Sequence, residues 1–256
     1  MKNGPKVCLT VAGLDPSGGA GVVADIRTFE KFGCRSAAAI TSITFQNSER
    51  VLGSVHLTGE QVQCQLEPVF KELEVAAIKI GMLPTAEVVR SVAAALRSNN
   101  ARNIVIDTVM TASSGSELIE RDAADAIVKE LFPLATLVTP NLPEAERLTG
   151  ISIIDEAELR EAAGMMQRAG GVNVLIKGGH MEVDSDRSRD FLFTENAVEV
   201  FEAPRINGVS VRGTGCMLSA AIAANLALGH DLSTAVGIAK DHVHSLIAAA
   251  RLSATD

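Results

Sequence analysis

Residues 7–32 read VCLTVAGLDPSGGAGVVADIRTFEKF, and this stretch predicts the fold. Its beginning, VCLTVA from Val7, is a short apolar run typical of a buried strand. A Gly-rich loop follows, and the segment from about Gly21 to Phe32 is typical of a helix. A strand joined to a helix in this way is the repeating unit of parallel α/β sheets.

The rest of the chain repeats this alternation. Strands are predicted at AAAITSITF, VLGSVH, AAIKIG, NIVID, TLVTP and NVLIKGG, and RDFLFT with AVEVFEAP predicts a β-hairpin that turns at Glu195-Asn196. Helices are predicted over residues 59–72, 86–98, 121–131 and 156–169, near Glu144, and from about Thr214 and Ser233. The prediction is an α/β protein, a three-layer αβα sandwich with a mostly parallel central sheet, formed by one domain over residues 1–256.

Composition narrows the class of protein. The 256 residues are 47% apolar and 3% aromatic, without Trp or Tyr, so the core must consist of Ala, Val, Ile and Leu, as in helix-covered parallel sheets. A net charge of -8 argues against nucleic-acid binding, which needs a basic surface. No window approaches a membrane span and no signal peptide is recognisable, so we expect a cytoplasmic protein without a membrane partner. The scattered cysteines predict free thiols: Cys8, Cys34, Cys64 and Cys216.

The loop after the first strand has two interpretations. Residues 19–24 match the Gly/Ala variant of the dinucleotide fingerprint, but the second strand ends in Phe45-Gln46-Asn47 instead of the acidic residue that binds a ribose. A Gly-rich turn that packs a helix on a sheet is the simpler interpretation. Asp15 and Asp25 flank the glycines and could contact a ligand or cap the helix. Neither GxxxxGKS nor GxxxxGKT occurs, so a phosphotransferase with this sequence would not be a P-loop enzyme.

The strongest local signal is VRGTGCMLSAAIAANLALG, residues 211–229. Gly213, Thr214 and Gly215 precede a small-residue helix, where free backbone N–H groups can converge on an anion. Cys216 falls in the first helical turn, and a helix N-terminus can lower the pKa of a thiol. The segment therefore suits a cradle for a phosphoryl group with a base beside it. A buried cysteine in a close-packed helix start is the alternative.

Two further segments carry polar residues at strand ends. In VTPNLPEAERLTG, Asn141 and Glu144 are three residues apart after a strand, which suits Mg²⁺ held through water and mainly by phosphates. The same pair is nearly a capping box, and both roles are compatible. In NVLIKGGHM, Lys177 ends a strand before two glycines and could reach a nucleotide phosphate, or it is a solvated strand-end lysine.

Together these segments resemble the hydroxymethylpyrimidine/phosphomethylpyrimidine kinases of thiamine biosynthesis, in the ribokinase-like superfamily. The resemblance runs in order through AGLDPSGGAGVVADIRTF, TSITFQN, IKIGML, IDTVM, VTPNLPEAERLTG, IKGGH and GTGCMLSAAIAANLALG. It implies a ribokinase-like fold and ATP- and Mg²⁺-dependent phosphorylation of an aminopyrimidine alcohol, hydroxymethylpyrimidine, and of its monophosphate. It also implies a homodimer.

The resemblance assigns roles by matching position. It places Cys216 opposite the hydroxymethyl oxygen, and Gln46 against both a ring nitrogen and an exocyclic amine. The other residues of the ring pocket would be Gly13, Asp25, Met82 and Val109. ATP, Mg²⁺ and the γ-phosphate would be bound by Asn141, Glu144, Lys177 and the amides of residues 213–216. Glu144 would contact the metal through water.

The sequence departs from the family on the phosphate side. Asp-Pro-Val-Met becomes Asp107-Thr108-Val109-Met110, Asn-Thr-His before the GTGC motif becomes Ser210-Val211-Arg212, and Ser113 stands where Lys or Thr is frequent. These replacements leave fewer hydrogen-bond donors for the phosphate that a monophosphate substrate carries. We therefore expect the free alcohol to be phosphorylated more readily than its monophosphate, unless Arg212 supplies the missing donor. Two alternatives stay open: a pyridoxal kinase of the same fold, and a non-catalytic ligand-binding relative.

Overall fold

The computed structural model describes residues 4–47, 50–111, 115, 117–170, 173–178, 186–209 and 211–253. Within these ranges the chain forms one nine-stranded sheet. Its strands are β1 (Val7–Leu14), β2 (Arg35–Gln46), β3 (Val51–His56), β4 (Val75–Ile80), β5 (Ile104–Ile106), β6 (Leu137–Val138), β7 (Asn173–Lys177), β8 (Arg187–Phe193) and β9 (Val198–Pro204).

The strand order is β3-β2-β1-β4-β5-β6-β7-β8-β9. The six strands from β2 to β7 in this order run parallel to their neighbours. β3 pairs antiparallel with β2, and β8 and β9 form the predicted antiparallel hairpin at the other edge. The mostly parallel sheet and its hairpin are therefore confirmed.

Helices cover both faces of the sheet. They are α1 (Gly21–Lys31), α2 (Gly59–Glu72), α3 (Ala86–Ser98), α4 (Arg121–Ala126), α5 (Leu142–Thr149), α6 (Glu156–Gly170), α7 (Thr214–Ala227) and α8 (Leu232–Ser253). After α4 the chain continues as a π-helical segment, Ile127–Leu131, and a 3₁₀ turn, Phe132–Leu134, where a regular helix had been predicted to Leu131.

Two separate apolar cores lie on the two faces. The core formed with α1, α7 and α8 is rich in alanine, with Ala220, Ala221, Ala223 and Ala224 completely buried. The opposite core, against α2, α3, α4 and α6, consists largely of Val, Ile and Leu. This confirms the three-layer αβα arrangement. Because α7 carries small residues, it packs closely on the sheet, and its N-terminus comes close to the carboxyl ends of the central strands.

None of the helices in the described residues is long and apolar enough to cross a membrane.

Candidate active site

A cavity of about 920 Å³ opens at the carboxyl ends of the parallel strands. Ligands of open α/β sheets bind at this edge, since the connecting loops diverge there. The cavity extends from the loop after β1 to the β8–β9 hairpin and to α8, which packs against β9. The polar and charged residues that line it include Asp15, Gln46, Lys79, Asp107, Asn141, Glu144, Lys177, Arg212, Thr214 and Cys216.

The loop between β1 and α1 is closed by glycine. Gly21 has φ 57°, and a Cβ at this position would collide with the carbonyl oxygen of Gly13. Oδ1 of Asp15 accepts hydrogen bonds from the backbone N–H and the hydroxyl of Ser17, at 2.8 and 2.7 Å. The N-cap of α1 is Ala20, with no side-chain hydrogen bond, so the possibility that Asp15 or Asp25 caps this helix is excluded.

The N-terminus of α7 meets this first loop directly. Gly213 is the N-cap with φ 73°, and a Cβ there would collide with the carbonyl oxygen of Gly19. The first intrahelical hydrogen bond is donated by Met217 to Gly213, so the N–H groups of Thr214, Gly215 and Cys216 have no partner within the helix. Together with the helix dipole, these groups favour an anion.

A completely buried ion pair lies beneath the two Gly-rich segments. Nζ of Lys79, on β4, is 2.9 Å from Oδ2 of Asp25, on α1, and both side chains are 0% exposed. The hydroxyl of Thr10 donates to the same carboxylate oxygen at 2.6 Å. Burial opposes the charge of Lys79, but Asp25 and the nearby Cys216 and Asp107 raise the pKa of the ammonium.

The position of Asp25 differs from the predicted one. It had been assigned to the wall of the ring pocket, yet its side chain is sealed inside the fold and does not line the cavity. The physical reason is that Asp25 lies on the buried face of α1, where Lys79 reaches it from the sheet. A contact between Asp25 and a bound ring would require this pair to open.

A second ion pair faces the cavity. Nζ of Lys177, at the end of β7, is 2.9 Å from Oδ1 of Asp107, and the lysine side chain is 16% exposed. The hydroxyl of Ser219 approaches Oδ2 of Asp107 at 3.4 Å. Burial would raise the pKa of Asp107, but Lys177 and Lys79 outweigh it and hold this pKa below its usual value.

Asn141 and Glu144 form a complete capping box at the start of α5. The Asn141 side chain accepts from the Glu144 N–H, and Oε2 of Glu144 accepts from the Asn141 N–H, each at 2.9 Å. The Thr108 hydroxyl donates to the same Oε2 at 3.0 Å. Burial raises the pKa of Glu144, while Lys177 opposes this. The capping alternative is confirmed, and the carboxylate still lines the cavity.

The donor set fits a nucleotide-bound Mg²⁺ better than a metal held by protein alone. Carboxylate oxygens of Asp107 and Glu144 line the cavity, and Mg²⁺ prefers such ligands. In the part of the chain that the structure describes, no three His, Cys, Asp or Glu side chains converge as a metal site. Such a site suits an ion that keeps several waters and contacts the phosphates of its ligand.

The thiol of Cys216 does not have the expected low pKa. Burial raises it to about 11, although Lys79 and a hydrogen bond from the Gly21 N–H act in the opposite direction. The prediction from the helix N-terminus was wrong because desolvation outweighs the field of the helix. The position of Cys216 is as predicted: it lies in the first turn of α7 and lines the cavity.

The remaining predicted pocket residues are Gly13, Gln46, Met82 and Val109, and all four line the cavity. The part of the cavity that they line is called the acceptor side. A Cβ on Gly13 would come within 3.0 Å of Sδ of Met82, so glycine leaves room for that side chain. Val211 and Arg212 also line the cavity, whereas Ser113 and Ser210 lie outside the described residues.

The sequence predicted no role for two charged residues at the floor of the cavity, Lys79 and Asp107, which are called the charged floor together with their partners Asp25 and Lys177. Lys79 stands inside the apolar strand VAAIKI, and Asp107 follows the strand IVI. A lysine within an otherwise apolar strand is itself a signal, because a buried lysine requires a charged partner. The sequence did not indicate which carboxylate would be that partner.

Comparisons with known proteins agree with one family. The family model described as phosphomethylpyrimidine kinase matches residues 15–255. A hydroxymethylpyrimidine/phosphomethylpyrimidine kinase of Haemophilus influenzae is 41% identical over 244 residues, which are 94% of this chain and 91% of the relative. A crystal structure of phosphomethylpyrimidine kinase from Clostridium difficile 630 has a TM-score of 0.83 and 35% identity, over 94% of this chain and 99% of that one. A pyridoxal kinase from Staphylococcus aureus, solved with AMP-PCP and pyridoxal, has a TM-score of 0.85 and 32% identity, over 95% of this chain and 88% of that one.

Proposed function

The chain belongs to the phosphomethylpyrimidine kinase family, and on that premise we propose that it phosphorylates hydroxymethylpyrimidine and its monophosphate in thiamine biosynthesis. The fold is that of ribokinase-like vitamin kinases, and the chain is a phosphotransferase. The proposal includes ATP as the phosphoryl donor, Mg²⁺ as its metal, and one kinase domain over residues 1–256.

One observation carries the proposal. Cys216 lies at the junction between an anion cradle, the free N–H groups that begin α7, and the acceptor side of the cavity, lined by Gly13, Gln46 and Met82. A hydroxyl held against Cys216 would face a phosphoryl group held by the cradle. Positioning and electrostatic stabilisation are what phosphoryl transfer requires most from a protein.

Each of the polar residues at the cavity has its own role in the proposed reaction. When bound, ATP with Mg²⁺ supplies the transferable phosphoryl group and a metal that neutralises its charge. Lys177 and the first N–H groups of α7 would bind negative charge on the phosphates, and Glu144 would hold water bound to the metal. As the thiolate, Cys216 would accept a hydrogen bond from the hydroxymethyl group and take up its proton as the new P–O bond forms and the bond from the γ-phosphorus to the leaving ADP oxygen breaks. Lys79, beneath it, stabilises the thiolate before this transfer.

A pyridoxal kinase is the second candidate function. Its support is the similarity to the Staphylococcus aureus enzyme solved with pyridoxal and AMP-PCP. Pyridoxal also presents a hydroxymethyl group beside a ring nitrogen, so the same catalytic residues would serve. Gln46 favours the aminopyrimidine, because an amide can satisfy both a ring nitrogen and an exocyclic amine.

The test is ATP consumption by the purified chain with hydroxymethylpyrimidine, its monophosphate and pyridoxal in turn. The proposal expects the highest kcat/KM with the free pyrimidine alcohol and a lower value with its monophosphate. Faster turnover of pyridoxal would replace the proposal with the second candidate, and no turnover of any of the three would favour a ligand-binding protein. Equal or faster turnover of the monophosphate would contradict only the order of preference, and Arg212 would then be the first residue to mutate.

We also propose that the protein is a cytoplasmic homodimer. Four apolar side chains of the antiparallel pair β2–β3, at one edge of the sheet, are exposed: Ile43, Phe45, Leu52 and Val55, with Leu52 at 65%. A second copy that covers this face would remove the apolar surface from water. Light scattering should give a dimer mass for the wild type and a monomer mass for Leu52→Lys. A monomeric wild type at micromolar concentration would contradict the dimer.

A further inference from the structure

One guanidinium group joins three segments around the acceptor side of the cavity. Nη1 of Arg212 donates to the carbonyl oxygen of Asn47 at 2.6 Å and approaches the Ser17 hydroxyl at 3.4 Å. Nη2 donates to Oε1 of Gln46 at 3.1 Å and lies 3.6 Å from Oδ2 of Asp15. The end of β2, the loop after β1 and the segment before α7 are thus held together by a single side chain.

The contact with Gln46 determines how that amide is oriented. Arginine has only N–H donors, so the atom that Gln46 turns toward Arg212 must be its oxygen. Among the described residues Nε2 has no partner, so both of its hydrogens are available to a ligand in the cavity that Gln46 lines. Without Arg212, the amide could rotate and present oxygen instead, which would repel the lone pair of a ring nitrogen.

The carboxylate of Asp15 holds the Arg212 guanidinium in place by its charge. Its side chain is 1% exposed, and Oδ2 has no hydrogen-bond partner within the described residues. A buried carboxylate oxygen needs a positive charge nearby, and the guanidinium of Arg212 supplies it. The guanidinium is therefore fixed between a carboxylate on one side and the Gln46 amide on the other.

We propose that Arg212 is a positioning residue for acceptor recognition, which holds the Gln46 amide so that Nε2 donates to a ring nitrogen of the alcohol. This inference rests on the proposed function, because that function supplies the ring. The chemistry selected is a nitrogen heterocycle that carries a hydroxymethyl group and has a hydrogen-bond acceptor facing Gln46. Arg212 acts on the ring through Gln46 and leaves the nucleotide side unchanged.

A double-mutant cycle tests whether Arg212 acts through Gln46. The variants are Arg212→Met, Gln46→Leu and the two combined, with kcat and KM measured for hydroxymethylpyrimidine and for ATP, and folding checked by thermal unfolding. Each single variant should raise the KM of the alcohol about tenfold, as expected when a buried hydrogen bond is left unmade, with the KM of ATP within about twofold. The combined variant should be no worse than Gln46→Leu, because the amide that Arg212 holds is already gone. Effects that multiply would overturn the proposal.

Two further variants separate this role from a structural one. Arg27 also supports the first loop, since Nη1 donates to the Gly18 carbonyl oxygen at 3.0 Å, but it makes no recorded contact with Gln46. Arg27→Met should leave the KM of the alcohol within about twofold of wild type, and a rise equal to that of Arg212→Met would overturn the proposal. Arg212→Lys keeps the charge beside Asp15 but loses the forked geometry, so its KM should lie between wild type and Arg212→Met. Should Arg212→Met not fold, the Lys variant completes the cycle.

Turnover of hydroxymethylpyrimidine by the wild type decides the proposed function independently of any variant. The ratios among variants decide the role of Arg212. A wild type that is active while the cycle is additive would keep the function and remove the inference.

Discussion

Two lysine–aspartate pairs, one facing the cavity and one sealed beneath it, have the same Nζ–O distance but different surroundings. Lys79–Asp25 and Lys177–Asp107 both measure 2.9 Å, yet the first pair is 0% exposed and the lysine of the second is 16% exposed. The sealed pair can only act on its neighbours through its charge, whereas the open pair can exchange its partner for a phosphate. Burial, more than distance, separates a structural ion pair from one available to a ligand.

The largest effect on turnover is expected at Cys216, because its thiol interacts with the charge of Lys79 in the sealed pair. Cys216→Ala should keep the fold and nucleotide binding but lower kcat by about 10²–10⁴-fold, the usual contribution of a positioned base. The measurement is steady-state turnover with circular dichroism as the check on folding. Unchanged turnover would show that the thiol only fills space at the helix start.

Breaking the sealed pair should destabilise the protein. Lys79→Met leaves the Asp25 carboxylate buried without its cation, and we expect a loss of about 3–5 kcal/mol in the free energy of unfolding, measured by denaturant titration. The matched control is Lys79→Met combined with Asp25→Leu, which removes both charges and should recover most of the loss. If the combined variant were as unstable as the single one, packing and not charge would explain the effect.

Breaking the open pair should instead affect the nucleotide. Lys177→Met should lower kcat/KM for ATP by tenfold to a hundredfold, equivalent to about 1.5–3 kcal/mol for a lost charge-assisted hydrogen bond. The free energy of unfolding should fall less than in Lys79→Met, because Asp107 keeps Ser219 and the charge of Lys79 nearby. A loss of stability as large as that of Lys79→Met would erase the distinction between the two pairs.

A change of pH sharpens the comparison through the thiol of Cys216. With the pKa of Cys216 at about 11, the thiol is protonated at neutral pH, and the thiolate fraction increases as the pH rises. If the thiolate is the base, kcat/KM for the alcohol should rise about tenfold per pH unit between roughly pH 7 and 9.5, since this ratio reports the free enzyme. A flat profile would mean that Cys216 orients the hydroxyl without first losing its own proton.

The sequence predicted the features that depend on neighbours along the chain. Apolar runs separated by glycine located the strands, and the pattern around Glu195-Asn196 located the β8–β9 hairpin. Asn141 with Glu144 predicted the capping box because both partners lie within one helical turn. The π-helical segment at Ile127–Leu131 was missed, since no local pattern distinguishes it from an ordinary helix.

The site could be predicted only where a role follows from one segment. Gly213 and Cys216 were assigned in this way, and both line the cavity, while their roles stay predictions. The partners of the charged floor were not, because Lys79 and Asp25 are 54 positions apart and Lys177 and Asp107 are 70 apart. The pKa of Cys216 was predicted in the wrong direction for the same reason: its desolvation comes from tertiary packing, which a helix start does not reveal.

The contact of Gly213 with Gly19 also has a consequence for synthesis on the ribosome. Arg212 and Ser17, which flank this contact, are 195 positions apart, so the loop after β1 is synthesised long before Arg212 and the N–H groups of α7. A nascent chain that has folded β1, β2 and β4 still lacks the N–H groups of α7. It therefore lacks the anion cradle, and premature termination before α7 would leave the loop after β1 without the group that faces it across the cavity.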